Sequence, residues 1–335
     1  MTSTAGFPHG VRIAGTGSAV PERVLTNADL ASMMDTSDEW IRQRTGIAER
    51  RICTPGKESA YTLQRDSLER ALEDAGMKGS DLDLIIVASV SSEMTCPSNA
   101  CRIGAALGAA PAGAFDLVAA CSGFVYAMNL ADSLIRSGRH KAIGVVGCDA
   151  MSTIVDYNER SVSILFGDAA GAAIQVRDDN PDKGCIYQVI QSDGENWPSL
   201  FLPRKKEDIP PNSPEIDIEL GKLRMEGRDV YRFAVSKFKE VIQDALNSTG
   251  LTADDIAQFI CHQSNIRIIE SAKEKLGLPD EKVYVNIDRY GNSSAGSVGL
   301  CFDQIRRAGK LEEGDTVVFV AFGGGLTWAS SVWNL

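Results

Sequence analysis

The chain has 335 residues, 44% of them hydrophobic, enough for a sizeable core in one large domain or two closely packed halves. Its formal net charge of −11 excludes the basic footprint on which nonspecific nucleic-acid binding depends. The opening MTSTAGFPHGVRIAG lacks the basic and apolar regions of a secretory leader, and no run of about 18 apolar residues offers a membrane span, so a cytoplasmic protein off the membrane is expected.

Eight cysteines (Cys53, Cys96, Cys101, Cys121, Cys148, Cys185, Cys261 and Cys301) are scattered through apolar sequence without CxxC pairs or zinc-site spacing. They suit a reducing compartment, predict no metal site, and mostly read as small buried hydrophobes.

In chain order, a helical pattern from Leu63 to Ala75 precedes the β-branched run Leu84 to Ala88, which reads as a buried strand. Ala114 to Ala120 also reads as a buried strand, entering a tight Cys-Ser-Gly turn at Cys121; a helix from Phe124 to Ser137 and a strand from Ala142 to Val146 follow. The polar turn Asp178 to Gly184 predicts a boundary near residue 180, giving halves 1–180 and 181–335, and proline-rich Pro198 to Pro214 reads as a surface loop. The second half offers a helix from Asp229 to Ser248, the short strand Phe259 to Cys261 and the strand Thr316 to Val320. The alternation predicts an α/β fold.

The halves resemble copies of one unit. Cys121 stands seventeen residues before Gly138, at the end of a helix followed by the strand at Ala142; Asn292 stands seventeen before Gly309, followed by the strand at Thr316. Duplication of this kind places equivalent loops at one end of the molecule, where a shared site can form. Cys121, His262 and Asn292 all fall on such loops.

At a helix N-terminus the unpaired N–H groups favour a thiolate, and the same backbone can donate to an oxyanion, so Cys121 is a candidate nucleophile. From spacing alone a packed core thiol is an equal reading. His262 ends an apolar strand and opens the polar run His-Gln-Ser-Asn, a position suited to a site, with a capping or structural histidine as the alternative. Asn292, in Tyr-Gly-Asn-Ser-Ser-Ala-Gly, reads by itself as a helix N-cap and gains weight beside Cys121. Gly323-Gly324-Gly325 lacks the spacing of a dinucleotide fingerprint but exposes backbone N–H groups.

Six stretches stand in order along the chain: Thr36 to Ile47 (TSDEWIRQRTGI), Ala119 to Phe124 (AACSGF), Phe166 to Ala172 (FGDAAGA), His262 to Ile268 (HQSNIRI), Tyr290 to Ser294 (YGNSS) and Ala321 to Trp328 (AFGGGLTW). Together they resemble the β-ketoacyl-acyl-carrier-protein synthase III family of thiolase-like condensing enzymes, and the resemblance covers nearly the whole chain. It implies five layers, α-β-α-β-α, built from two pseudo-repeated halves with a mixed five-stranded sheet each, and a homodimer.

The resemblance further implies Cys121 as acyl acceptor, the backbone N–H groups of Cys121 and Gly324 as oxyanion donors, and His262 and Asn292 as holders of a malonyl thioester carbonyl. Acyl-CoA and malonyl-acyl carrier protein are the implied substrates, with no cofactor. Trp40, Arg44, Arg160, Gly227 and Asn265 match positions along the CoA and pantetheine path; Cys96 and Phe322 match acyl-pocket positions. Cys96 replaces a phenylalanine, which leaves space for a longer or branched primer. Arg232, Arg267, Lys273 and Lys275 could form a basic patch for the acidic carrier protein. An alternative is a related acyltransferase or condensing enzyme of specialised metabolism, with polyketide or quinolone-type chemistry, using the same three residues. A variant makes Glu93 a general base, against the plainer reading of a solvated loop carboxylate. A noncatalytic acyl- or CoA-binding subunit would have lost one of the three residues, and none is lost.

Overall fold

The β-branched runs form the interiors of two sheets. The computed structural model describes residues 7–211, 213 and 218–335. In the first sheet, β1 (Gly10–Ala19), β2 (Leu84–Ala88), β3 (Gly113–Leu117), β4 (Ala142–Ala150) and β5 (Asp168–Asp178) lie in the order β1-β5-β4-β2-β3. The second holds β6 (Gly184–Ser192), β7 (Gln258–Cys261), β8 (Thr316–Gly323) and β9 (Thr327–Asn334) in the order β7-β8-β9-β6. In both, a parallel pair (β2 with β4, β7 with β8) is extended by antiparallel strands, as the internal repeat predicts.

The copies differ at one edge. The expectation of five strands in each half is corrected in the second, where the counterpart of β3 shrinks to one parallel bridge between Phe259 and Val283. Side chains replace the missing ladder: Gln263 Nε2 donates to Tyr284 O at 3.2 Å and Gln263 Oε1 accepts from Asn286 N–H at 3.1 Å. Backbone groups in a buried segment need partners, and these amides supply them.

Helices α1 (Asp38–Thr45), α2 (Ala60–Ala75), α3 (Gly123–Arg136), α4 (Gly227–Thr249), α5 (Ile266–Leu276) and α6 (Gly296–Arg307) complete the five layers. Between the sheets lie α3 and α6, their side chains joining residues of both sheets in one core that includes Phe124, Met128, Val145, Phe302, Phe319 and Trp333. A helix in that layer is apolar nearly all round, and each fully buried Phe, Met or Ile there contributes roughly 1.5–3 kcal/mol. Covering the outer face of the first sheet is α2; α4 and α5 cover that of the second.

Small residues set how closely these layers meet. A Cβ on Gly171 of β5 would lie 2.2 Å from the Gly299 carbonyl carbon of α6, so the Gly-Ala-rich strand admits the helix backbone. Its low apolar volume hides it from a search for β-branched runs. The strand before Cys121 also differs from expectation: β3 is a sheet edge rather than a buried strand, with Phe115 exposed and Val118 just beyond it 77% exposed.

Candidate active site

Cys121 sits where β3 turns into α3, in the short turn Ala120–Ser122. Ala120 is held at φ 46°, a left-handed conformation that costs a non-glycine residue roughly 1–3 kcal/mol. The turn is fixed by Ser122, whose Oγ donates to Ala119 O at 2.7 Å and meets Thr327 Oγ1 at 2.7 Å. Gly123 closes it because a Cβ there would lie 2.8 Å from Ala88 Cβ. On the other side, a Cβ on Gly323 would be 2.6 Å from Cys121 N, so only glycine lets the end of β8 reach the backbone of Cys121. The first helical N–H groups and the Gly323-Gly324 segment thereby converge.

The expectation of a lowered thiol pKa is corrected. Burial pushes the Cys121 thiol up to about 12, and the opposing hydrogen bond from Ser294 does not prevail. Cys121 is thus held as a thiol.

His262 follows β7 and is buried, with its N–H donating to Val320 O at 2.9 Å. Burial depresses the imidazole to about 3, so it is neutral across the physiological range. Its Nδ1 lies 2.7 Å from Ser297 Oγ, and Phe322 packs edge-on at 5.3 Å between ring centroids. Ser297 Oγ can also donate to Ser294 O at 3.0 Å; when its proton goes instead to Nδ1, the imidazole proton resides on Nε2. Asn292 is anchored by its N–H to Leu165 O (2.9 Å) and by Gly167 N–H to its carbonyl (3.0 Å), and its Oδ1 accepts from Ser294 N–H at 2.9 Å. This holds Asn292 in a parallel bridge with Phe166 ahead of α6, not as the N-cap its spacing allowed; the cap position is Ala295.

Ser294 joins the three. It lines one cavity with Cys121, its N–H bonds Asn292 Oδ1, and its carbonyl lies 3.0 Å from Ser297 Oγ, which is 2.7 Å from His262 Nδ1. It also adopts a left-handed φ of 51°. Neither Ser294 nor Ser297 stood out in the sequence, although a serine-rich run between two glycines beside Asn292 was the available signal.

A cavity of about 440 Å³ opens at Cys121, with Ser294 and Gly324 on its wall. Val90, Met94, Met151, Phe166, Leu200 and Leu202 make it largely apolar. Leu200 and Leu202 come from the proline-rich loop, which is therefore a wall of the cavity as well as a surface feature; residues 212 and 214 of that loop lie outside the described residues. His262 and Asn292 are not on this wall and reach it through Ser294. Nor is Cys96, which is exposed, although Met94 and Thr95 are; Phe322 instead backs His262.

Trp40, Arg44 and Arg160 meet at one place. The guanidinium groups of Arg160 and Arg44 both lie over the Trp40 ring, 4.9 and 5.6 Å from its centroid. Asn265 caps α5 and donates from Nδ2 to Arg44 O at 3.2 Å, tying α5 to α1. Gly227, at the start of α4, lines a separate cavity of about 580 Å³ together with Ser161, next to Arg160.

Of the basic patch, Arg232, Arg267 and Lys275 are exposed, with Arg232 3.6 Å from Asp229 and Arg267 Nε donating to Gln43 O. Lys273 is a correction: it is buried and paired with Glu270 at 2.9 Å and Asp280 at 2.8 Å, so its charge is already met. Glu93 also departs from the general-base variant. Its carboxylate accepts from Tyr61 N–H at 2.8 Å and Asn99 Nδ2 at 2.7 Å, and although burial alone would raise its pKa, these bonds hold it below the usual range.

Comparison with known proteins bears on this arrangement. The family described as 3-oxoacyl-[acyl-carrier-protein (ACP)] synthase III matches residues 115–194, and its C-terminal counterpart matches residues 246–335. A β-ketoacyl-[acyl-carrier-protein] synthase III of Caldanaerobacter subterraneus subsp. tengcongensis is 43% identical over 320 residues, 96% of this chain and 96% of that protein. The crystal structure of 3-oxoacyl-[acyl-carrier-protein] synthase III from Aquifex aeolicus matches with a TM-score of 0.89 at 39% identity, over 97% of this chain and 100% of that one. The priming β-ketosynthase from the R1128 polyketide biosynthetic pathway matches with a TM-score of 0.90 at 34% identity, over 100% of this chain and 99% of that one. With identity and fold both matched over almost its full length, the chain belongs to the β-ketoacyl-acyl-carrier-protein synthase III family of thiolase-like condensing enzymes.

Proposed function

We propose that Cys121, His262 and Asn292 carry out the condensation by which a β-ketoacyl-acyl-carrier-protein synthase III initiates fatty acid synthesis. The observation that carries this reading is the meeting of both halves at one cavity: Ser294, which shares its wall with Cys121, holds Asn292 Oδ1 through its N–H at 2.9 Å, and Ser297 Oγ lies 2.7 Å from His262 Nδ1, where its proton keeps the imidazole proton on Nε2.

Cys121 Sγ attacks the thioester carbonyl of an acyl-CoA, the N–H groups of Cys121 and Gly324 hold the oxyanion, and the bond to the CoA sulfur breaks. Malonyl-acyl carrier protein then enters. Its bond to the carboxylate breaks and CO₂ leaves, while the enolate oxygen takes hydrogen bonds from Asn292 Nδ2 and His262 Nε2. Among the described residues, the hydrogen bonds of these side chains use Oδ1 and Nδ1, which leaves Nδ2 and Nε2 for substrate. The enolate carbon attacks the acyl carbonyl and expels Cys121. A neutral imidazole suits this role, because it stabilises a developing negative charge without protonating the carbon nucleophile.

Trp40 beside two guanidinium groups suits an adenine ring and phosphates, and Arg232, Arg267 and Lys275 suit an acidic carrier protein. The exposed β3 edge favours a homodimer, since an unpaired apolar edge strand is a template for a second copy. Unpaired cysteines fit the reducing cytoplasm, and no helix among the described residues is long and apolar enough to cross a membrane. A second reading, priming in specialised metabolism, is favoured by the match to the polyketide priming ketosynthase.

Intact mass spectrometry after incubation with acyl-CoAs from acetyl to dodecanoyl, followed by malonyl-acyl carrier protein, tests the assignment. Cys121 should gain the acyl mass, Cys121→Ala should not, and a β-ketoacyl carrier product should form with CO₂ release. Discharge only to a small-molecule acceptor would favour the second reading, and no adduct with any primer would overturn the first.

A further inference from the structure

The two backbone N–H groups proposed for the oxyanion come from opposite halves of the chain, and a pair of hydroxyls joins the segments that carry them. Cys121 lies in the turn Ala120–Ser122, and Gly324 in the glycine run between β8 and β9. Ser122 is fully buried, and its Oγ lies 2.7 Å from Thr327 Oγ1 across 205 positions of sequence. Thr327 Oγ1 is also 3.1 Å from Ala119 O and 3.1 Å from Gly324 O, while Ser122 Oγ is 2.7 Å from Ala119 O. Among the described residues no other hydrogen bond joins residues 119–122 to residues 323–327.

At 2.7 Å one hydroxyl must donate to the other, so the pair forms one chain whichever way its protons run. With Ser122 donating across, the Thr327 proton goes to Gly324 O or Ala119 O; with Thr327 donating across, the Ser122 proton goes to Ala119 O. Gly323 lets the two backbones come near, since a Cβ there would lie 2.6 Å from Cys121 N, but contact without a bond does not fix how far apart they stand. Gly324 and Gly325 have no side chain to lock them, and among the described residues neither makes a backbone–backbone hydrogen bond. Leu326 anchors the far side of the run through two bonds with Asp193, both 2.8 Å, which leaves the side facing Cys121 to Thr327.

We propose that Ser122 and Thr327 are positioning residues, a hydroxyl clamp that sets the separation of the Cys121 and Gly324 N–H donors. Two donors stabilise an oxyanion together only when each stands about 2.7–3.1 Å from where it forms. That demand arises twice per turnover. In loading, the Cys121 sulfur adds to the acyl-CoA carbonyl, the oxygen takes the charge, and collapse expels the CoA sulfur, which leaves with the thiol proton. In condensation, the enolate carbon adds to the acyl-Cys121 carbonyl, and collapse expels the Cys121 sulfur, which takes a proton from solvent. The clamp therefore acts on both steps, whereas His262 and Asn292 act on the second. It rests on Cys121 being the acyl acceptor.

Three measurements test the clamp, with thermal unfolding alongside. Rapid-quench intact mass spectrometry with acetyl-, hexanoyl- and dodecanoyl-CoA gives first-turnover loading, and CO₂ release from malonyl-acyl carrier protein gives condensation. The infrared carbonyl stretch of acyl-Cys121, labelled at the carbonyl carbon, reads the donors directly, because hydrogen bonds to that oxygen lower it. Thr327→Val keeps the branched shape without the hydroxyl and should slow both steps about 30-fold, and Ser122→Ala about tenfold, each with a raised stretch. Because one chain is broken once, the double variant should be no more than about threefold slower than Thr327→Val. Thr327→Ser restores the hydroxyl and should return both rates to within about threefold of wild type. Should Ser122→Ala not fold, Thr327→Val against Thr327→Ser decides. A lowered Tm with an unmoved stretch, or both rates of Thr327→Val within about threefold of wild type, overturns the clamp while leaving Cys121 as acceptor; no wild-type adduct with any of the three primers removes both.

Discussion

The two sheets end differently beside the site. In the first half β3 completes five strands and presents Phe115 and Val118, 37% and 77% exposed. In the second, the corresponding place is one bridge at Val283, closed by the amide of Gln263, the residue after His262. A repeated layer arrangement thus supports two outcomes. One copy keeps an open edge and, at its end, the Cys121 thiol at a helix N-terminus; the other gives up the edge strand and uses side chains to hold the loop after His262.

The chemical side of this comparison is the largest effect to break. His262→Ala and Asn292→Ala should each lower condensation by about 10²–10³-fold, the range for removing one donor to a developing oxyanion, while first-turnover loading of Cys121 persists. The measurement is CO₂ release from malonyl-acyl carrier protein against acyl adduct formation. Equal loss of both steps would mean that the halves do not divide the reaction.

The closed edge comes next. Gln263→Leu removes the acceptor of Asn286 N–H and the donor to Tyr284 O and Cys261 O, leaving buried backbone groups without partners. A loss of about 2 kcal/mol is expected, read as a lower midpoint in denaturant with little change in slope. An unchanged midpoint would show that the bridge at Val283 suffices without the amide.

The open edge should give the smallest change in the chain itself. Phe115→Lys places a charge on an exposed edge and should alter the stability of the isolated chain by less than about 0.5 kcal/mol, yet shift a dimer towards monomer in sedimentation. A dimer that survives the substitution would place its interface elsewhere.

Legibility in the sequence followed the physics of each element. Strands β2, β4 and β8 were visible because they are buried on both faces and rich in branched residues, whereas β5 was not, because Gly171 and its alanines are selected for close approach by α6. The seventeen-residue spacing marked equivalent helices, and both end at left-handed glycines, Gly138 at φ 80° and Gly309 at φ 65°. Lys273 misled because a lysine on an amphipathic helix reads as solvated; Asp280, just beyond the helix, is what neutralises it.

By itself the sequence determined the α/β layering and the repeat, since periodicity is a property of the chain, and its motif order pointed to Cys121, His262 and Asn292 through the family resemblance. Only the tertiary structure decided the protonation of the site. The thiol is lifted and the imidazole depressed by burial among residues from both halves, and the carboxylate of Asp149 accepts from Ala295 N–H across 146 positions of sequence. Desolvation and through-space hydrogen bonds depend on what packs around a group, which local sequence does not encode.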